Sequence, residues 1–373
     1  MKIGVPKESR SHEHRVGLTP FGVGRLRELG CEVLVQDDAG RDSHFTSEDY
    51  AGAGAEIVYQ PEEVFGRADL VCKIGRLTAD EARLMRRGTG VIGFMHLAVM
   101  PAETIHALEE AEATVIGYET VEAEDGGHPV LSALSEIAGQ MAVHRAADLL
   151  EHESGGRGIV LGNVPGIPPP TVVVLGAGTA GWTAARTALA CGAHVIVMDA
   201  EMARLRHAIR HGCGNAVTAL ASPRNLCRFV PIADVVIGAV LIPGARAPFI
   251  VDEELVKAMK RGSVILDLSI DQGGCVATSR PTTCDSPTFE CHGVLHYCVP
   301  TMTTNVPRTA SRATTLAALP FLARIASEGL PRALRSSPGL ARGVYVYRGR
   351  LVHEPAARAL GMSAARLPEL LSL

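Results

Sequence analysis

Apolar positions in the first third of the chain gather into short β-rich runs separated by segments with helical period. Lys2–Val5, Cys31–Gln36, Glu56–Tyr59, Leu70–Ile74, Gly90–Phe94 and Thr114–Tyr118 read as strands. Thr19–Leu29, Thr78–Met85 and Pro101–Glu110 read as helices. Thr19-Pro20 suits a helix start, because a proline there gives up an N–H that has no partner anyway. Repeated β-α-β at this spacing predicts a mostly parallel sheet covered on both faces.

Ser135–Glu153 predicts a long amphipathic helix, with Ile137, Met141, Ala142, Ala146 and Leu149 near one face. Gly- and Pro-rich punctuation follows, from Ser154 to Gly158 and from Pro165 to Pro170, as in a linker or cleft loop. A second β-α-β series then begins, with strands at Thr171–Leu175, Ala193–Asp199, Asn215–Leu220, Val235–Val240, Ser263–Asp267 and Val294–Val299. From about Thr309 to Leu330 the pattern is helical; a Val344–Tyr347 strand and a helical end complete it. The fold class is therefore α/β, with two Rossmann-like, doubly wound, mostly parallel sheets.

The 373 residues fit two domains. At 47% apolar and 20% charged, the composition is globular, and a net charge of −4 gives no reason to expect nucleic acid. The longest apolar runs, Thr171–Gly176 and Val235–Ile242, are strand-length and far short of a membrane span. The N-terminal residues lack a signal-peptide pattern, so a cytoplasmic protein with no membrane partner is expected. The nine cysteines include no Cys-x-x-Cys pair. Cys275, Cys284, Cys291, His292, His296 and Cys298 lie close in sequence but lack the paired spacing of a zinc site, so reduced thiols and no metal are expected.

The sharpest chemical signal is Val172-Val-Val-Leu175 running into Gly176-Ala-Gly178-Thr179-Ala180-Gly181, followed by a helical segment. Gly176 permits the turn, Gly178 lets backbone approach a pyrophosphate, and Gly181 allows close helix–strand packing. The N–H groups at the helix start suit phosphates. The next strand ends in Asp199, whose carboxylate could accept from ribose hydroxyls and would repel a 2′-phosphate, favouring NAD over NADP. Arg204 and Arg206 nearby could instead receive a phosphate.

Further segments extend along the whole chain: Ile3-Gly-Val-Pro-Lys-Glu8, Glu13-His-Arg-Val16, Leu18-Thr-Pro20, Met95-His-Leu-Ala98 and Tyr118-Glu-Thr-Val121. Later come Leu134-Ser-Glu-Ile-Ala-Gly139, Gly238-Ala-Val-Leu-Ile-Pro-Gly-Ala245, Ile270-Asp-Gln-Gly-Gly-Cys275, His296-Tyr-Cys-Val299 and Val306-Pro-Arg-Thr309. In these segments the chain resembles the alanine dehydrogenase family, which shares its fold with the NAD-binding subunit of nicotinamide nucleotide transhydrogenase. The resemblance implies a discontinuous substrate domain (1–130 plus 309–373), an NAD-binding domain (131–308) and an active-site cleft between them. It also implies a homohexamer and reversible oxidative deamination of L-alanine to pyruvate and ammonia with NAD. Ser135, Val240 and Leu241 join the cofactor-binding residues by the same resemblance.

Carried over residue by residue, Arg15 matches the arginine that binds substrate carboxylate, His96 the acid/base histidine and Asp271 the aspartate beside the nicotinamide. Read by themselves, they would be a surface charge, a structural histidine and a strand-end cap. Two positions depart from the pattern. The family reads Lys-Val-Lys-Glu-Pro where this chain has Lys73-Ile-Gly75-Arg-Leu77, so its second, substrate-binding lysine is Gly75. Lys73 matches the first lysine, and Arg76 would point to the opposite strand face. An active-site asparagine is replaced by Thr301. Lys73, Gly75 and Thr301 are thus grouped with Arg15 around the substrate.

The leading expectation is an NAD-dependent oxidoreductase with an altered pocket for a small amino acid or 2-oxo acid. An enzyme for a larger substrate, such as an imine reductase, and an NAD(H)-binding paralogue without chemistry are the alternatives. A transhydrogenase-like subunit would need a membrane partner and an NADP-binding chain, and Asp271-Gln-Gly-Gly-Cys275 is closer to the dehydrogenase branch.

Overall fold

In the computed structural model, which describes residues 1–241 and 247–372, the chain divides into two compact units. The first holds Met1–Leu134 and the chain from Thr304 on; the second holds the described residues between Ser135 and Thr303. The end of the Gly238–Ala245 motif, from Ile242, lies outside the described residues.

Strands β1 (Lys2–Val5), β2 (Glu32–Gln36), β3 (Glu56–Val58), β4 (Leu70–Cys72), β5 (Gly90–Gly93) and β6 (Thr114–Gly117) open the first unit. The second contains β7 (Thr171–Leu175), β8 (His194–Asp199), β9 (Val217–Leu220), β10 (Val235–Gly238), β11 (Val264–Asp267), β12 (Thr288–Cys291) and β13 (Val294–Tyr297). β14 (Val344–Tyr347) and β15 (Arg350–Leu351) return to the first.

The first sheet runs β15-β14-β6-β5-β4-β1-β2-β3 and the second β12-β13-β11-β10-β7-β8-β9. Both are doubly wound and parallel except at one edge, where β14, β15 and β12 pair antiparallel. Burial explains why the central strands read as continuous apolar runs. Val172 and Val174 pack in one core of the second unit, and Val173 and Leu175 in another on the opposite face. Such a strand has no polar face to alternate with. In each sheet the chain reverses direction of travel between two central strands, β1 and β4 or β7 and β10. The successive connections leave on opposite sides there, opening a crevice beyond the strand ends.

β1, β7 and β14 match their expected spans, and the other expected strands lie within their expected ranges. The long helix spans Pro129–Leu149 instead of Ser135–Glu153. Pro129 can start it at no hydrogen-bond cost, and turns with left-handed glycines at 155 and 158 take over after Leu149. The C-terminal helix begins at Pro307 for the same reason. Helices at Ser47–Gly52 and Pro61–Arg67 were not expected; the first carries a Thr46/Asp49 capping box, and the second has proline in its first turn. β12 and β15 were also missed. Each joins its neighbour by a two-residue turn, His292-Gly293 or Arg348-Gly349, with both residues at positive φ.

The helix Pro129–Leu149 crosses the helix Thr179–Ala190 at Gly139, where an added Cβ would lie 2.4 Å from the Ala180 carbonyl oxygen. Gly139→Ala is expected to destabilise the second unit by about 1–3 kcal/mol through overpacking. Urea unfolding followed by Trp182 fluorescence measures it, and an unchanged midpoint would contradict this account of the crossing.

Candidate active site

In the first unit the chemistry-bearing side chains follow β1, β4, β5 and β6. Beyond β1, Glu8 Oε1 accepts from Ile74 N at 2.8 Å, tying the β1 exit to the β4 exit. Lys73 Nζ lies 2.9 Å from Glu8 Oε2 and donates to Glu81 Oε1 at 2.8 Å, with its side chain fully buried. Burial opposes the ammonium, but Glu8 and Glu81 more than offset that and hold Lys73 above the usual lysine range. Glu81 Oε2 in turn accepts from Thr78 N, capping the helix Ala79–Leu84. Lys73, grouped above with the substrate residues, is placed here as an internal cation enclosed by carboxylates.

Arg15 is also buried, and Glu13 grips it as a fork: Nε donates to Oε1 at 2.7 Å and Nη2 to Oε2 at 2.6 Å. Gly75, just past β4, faces the same carboxylates. A Cβ there would stand 3.1 Å from Glu8 Oε2 and 3.7 Å from Glu13 Oε2. Glu8, Glu13 and Glu81 were not singled out from sequence. Glu8 and Glu13 do lie in quoted motifs, but which cation each would meet depends on the fold.

His96 follows β5 with φ at +43°, a left-handed conformation that a non-glycine residue adopts at a cost. Glu119, beyond β6, holds it there. Its Oε1 accepts from His96 N at 2.5 Å and from Tyr345 Oη at 2.8 Å, and its Oε2 from Met95 N at 3.3 Å. The His96 ring is one-third exposed and stacks on Phe94, with Nδ1 3.9 Å from Glu119 Oε1. Glu119 is a further missed residue; the Tyr118-Glu-Thr-Val121 segment was its one signal.

In the second unit the glycine turn lies at the β7 end. Gly176 has φ of +98°, and a Cβ would strike the Ala239 carbonyl at 2.4 Å; at Gly181 it would strike the Gly176 oxygen at 1.8 Å. At Gly178 a Cβ would meet nothing within 4 Å. Gly176 and Gly181 answer to this protein's own packing, and Gly178 leaves open space beside the start of the Thr179–Ala190 helix. Thr179 and Ala180 form its first turn, which has no side-chain cap. These features fit a bound pyrophosphate. Asp199, at the β8 end, accepts from Ala177 N at 2.7 Å and Glu201 N at 2.8 Å. It therefore shapes the turn, while a carboxylate's further lone pairs can take ribose hydroxyls. Arg204 pairs with Glu201 at 3.1 Å.

Beyond β10, Val240 N donates to Ser269 Oγ at 3.0 Å, and Leu241 is exposed. Ser135 is half-buried on the long helix. Past β11 and β13, Asp271 and Thr301 meet. Asp271 accepts from Thr301 N at 3.2 Å and from its Oγ1 at 3.3 Å. Thr301 has φ of +55°, strained for a β-branched side chain.

Two family models match consecutive stretches: the alanine dehydrogenase/PNT N-terminal domain over residues 4–138 and its C-terminal domain over residues 142–354. The chain belongs to the alanine dehydrogenase/PNT family. Alanine dehydrogenase of Mycobacterium tuberculosis is 44% identical, with 97% of each chain covered, and that of Mycolicibacterium smegmatis 41% identical over the same share. A solved L-alanine dehydrogenase superposes with a TM-score of 0.91 at 39% identity, covering 97% of this chain and 99% of its own. A transhydrogenase from Sinorhizobium meliloti follows at 0.81 and 26%, with 95% and 99% covered. Alanine dehydrogenases of this family are NAD-dependent oxidoreductases. No helix among the described residues is long and apolar enough to cross a membrane.

Lys73→Met leaves two buried carboxylates without their shared cation and is expected to cost about 3–5 kcal/mol in urea unfolding. Gly178→Ala places its Cβ in open space, so its melting temperature should hold. NADH binding, titrated by nicotinamide fluorescence, should weaken by roughly tenfold or more, equal to about 1.4 kcal/mol. Unaltered NADH affinity would remove the pyrophosphate from this turn.

Proposed function

We propose that the chain is an NAD-dependent oxidoreductase acting on the C–N bond of a small amino acid, with a pocket changed from that of an alanine dehydrogenase. The observation that carries this reading is that in each unit the candidate residues lie beyond the strand ends, Arg15 and His96 in the first and Asp271 and the glycine turn in the second, at the side of the sheet where an open α/β fold takes ligands. The overall reaction is oxidative deamination. The substrate Cα–H leaves as hydride, water replaces the amine nitrogen, and ammonium, a 2-oxo acid and a proton are released. NAD, bound through Gly176–Gly181, Asp199, Ser135, Val240 and Leu241, supplies the hydride acceptor.

The remaining work belongs to side chains. Arg15 anchors the substrate carboxylate, which must share the guanidinium with Glu13 or displace it. His96, held by Glu119, takes and returns the proton at the substrate nitrogen or oxygen, a task suited to an imidazole near neutral pH. Asp271, braced by Thr301, positions water or ammonia. At residue 75 there is no lysine to assist Arg15. A charge-assisted hydrogen bond of that kind is worth about 1.5–3 kcal/mol, or roughly 10–100-fold in rate, if alanine is the substrate. That deficit favours a substrate other than alanine. The same deficit, with Glu13 on Arg15, supports the second reading, an NAD(H)-binding paralogue without turnover.

The deciding assay is NADH oxidation with pyruvate and ammonium, run beside Gly75→Lys and a panel of larger 2-oxo acids. Wild type is expected to be slow on pyruvate and faster on a larger acid. Pyruvate turnover by wild type within the ordinary range of ~1–1,000 per second would make this an alanine dehydrogenase without pocket change. No oxidation by either protein, with tight NADH binding, would favour the paralogue.

A further inference from the structure

Arg15 lies in a segment without regular structure, between β1 and the helix Pro20–Glu28, yet its side chain is only 2% exposed. Buried backbone in such a segment has no ladder to satisfy its N–H and C=O groups, so other groups must do so. Three hydroxyls from distant parts of the first unit supply them. Val16 N donates to Ser311 Oγ at 3.0 Å, and Ser43 Oγ donates to the His14 carbonyl at 3.0 Å. Thr304 Oγ1 accepts from His14 N at 3.2 Å and donates to the His12 carbonyl. The two peptide groups that flank Arg15 are thus both held by serine side chains.

Ser43 and Ser311 are themselves joined, Oγ to Oγ at 3.0 Å, and both are fully buried. A serine hydroxyl has one proton to donate. Ser43 directs its proton to the His14 carbonyl, so Ser311 must be the donor between the two hydroxyls. The order is therefore fixed: Val16 N–H to Ser311, Ser311 O–H to Ser43, and Ser43 O–H to the His14 carbonyl. The relay closes across Arg15, and loss of either hydroxyl leaves a buried backbone group without its partner. Both serines are anchored by one helix. Ser311 lies in the second turn of Pro307–Glu328, and Ser43 ends the turn Arg41–Ser43. Arg308, from the same helix, holds that turn through the Ser43 and His44 carbonyls.

We propose that Ser43 and Ser311 are positioning residues for Arg15, their relay fixing where its guanidinium stands for the substrate carboxylate. This rests on the reading of Arg15 as the carboxylate anchor. Glu13 sets the direction of the guanidinium fork, whereas the relay sets the backbone from which it projects. Bidentate recognition of a carboxylate depends on that placement. A misplacement of ~1 Å can cost on the order of 100-fold. Neither serine needs to touch the substrate. A hydroxyl pair ties the segment to the helix without adding a charge beside Glu13 and Arg15.

The test uses the full-length protein and its Ser311→Ala, Ser311→Thr, Ser43→Ala, Arg15→Met and Ser311→Ala/Arg15→Met variants. Pyruvate and 2-oxohexanoate are titrated by calorimetry with NADH bound, and NADH oxidation is followed with each acid plus ammonium. Ser311→Ala and Ser43→Ala should each raise the KM of the better acid tenfold or more, with kcat changed less than threefold. Ser311→Thr keeps the hydroxyl and should stay within threefold of wild type. Where Ser311→Ala fails to fold, Ser311→Cys keeps the volume with a much weaker hydrogen-bonding group and is read the same way. With Arg15→Met already present, Ser311→Ala should change kcat/KM by less than twofold, because no fork is left to place. Unchanged KM in the serine variants, or equal losses with and without Arg15, overturns the positioning role and leaves the oxidoreductase reading standing. Acid binding that the serine variants weaken tenfold, with no turnover by any protein, supports the positioning role and overturns the oxidoreductase reading. No binding of either acid by wild type overturns both.

Discussion

A buried ammonium, Lys73 Nζ, sits where the first sheet changes its winding direction and holds two carboxylates from opposite sides of that point. Glu8 comes from the loop after β1, and Glu81 from the first turn of the helix that follows β4. Parallel strands end in splayed carbonyls and diverging loops, so nothing in the ladder itself joins the two exits. The ion triad does, and Glu8 adds a hydrogen bond to Ile74 N. Low dielectric makes this grip strong and also makes it intolerant of a missing member. Arg15, Glu13 and Gly75 take their positions from those two loops.

Strain marks candidate positions in both units. His96 and Thr301 occupy left-handed backbone conformations that cost non-glycine residues on the order of 1–2 kcal/mol. Each is held by a carboxylate, Glu119 for His96 and Asp271 for Thr301. The two arrangements differ in sense. Glu119 is buried and braced by Tyr345, so it serves as a fixed clamp on the His96 backbone. Asp271 and Thr301 are exposed and hold one another, so that pair is easier to open. On the reading proposed above, this difference suits an imidazole that moves a proton and a carboxylate that must exchange partners with water or ammonia.

Legibility in the sequence followed burial. β1, β7 and β14 have all or most of their residues buried, and their apolar runs alone predicted their spans. The glycine turn was legible because each part of it answers to a local steric demand. The helices Ser47–Gly52 and Pro61–Arg67 escaped notice because they are too short to show a period, although their caps were present. β12 and β15 escaped because antiparallel edge strands are short and half-exposed; the turns His292-Gly293 and Arg348-Gly349 were the available signals. In the site, Arg15, His96 and Asp271 came from resemblance. Glu13, Glu81 and Glu119 matter through pairings of charge across the fold, which no local pattern encodes.

Residue 75 joins these observations. A lysine and a glycine at one position of a buried ionic wall are not alternatives of size alone, because the wall keeps its carboxylates either way. A lysine at residue 75 would add a cation beside Glu8 and Glu13. With glycine there, Glu8 and Glu13 face residue 75, and Arg15 is engaged by Glu13. On the reading proposed above, a substrate carboxylate then meets an Arg15 shared with Glu13 and no lysine beside it. The two sheets, the glycine turn and the Glu119 clamp on His96 do not involve residue 75, so one backbone position can change this wall without disturbing them.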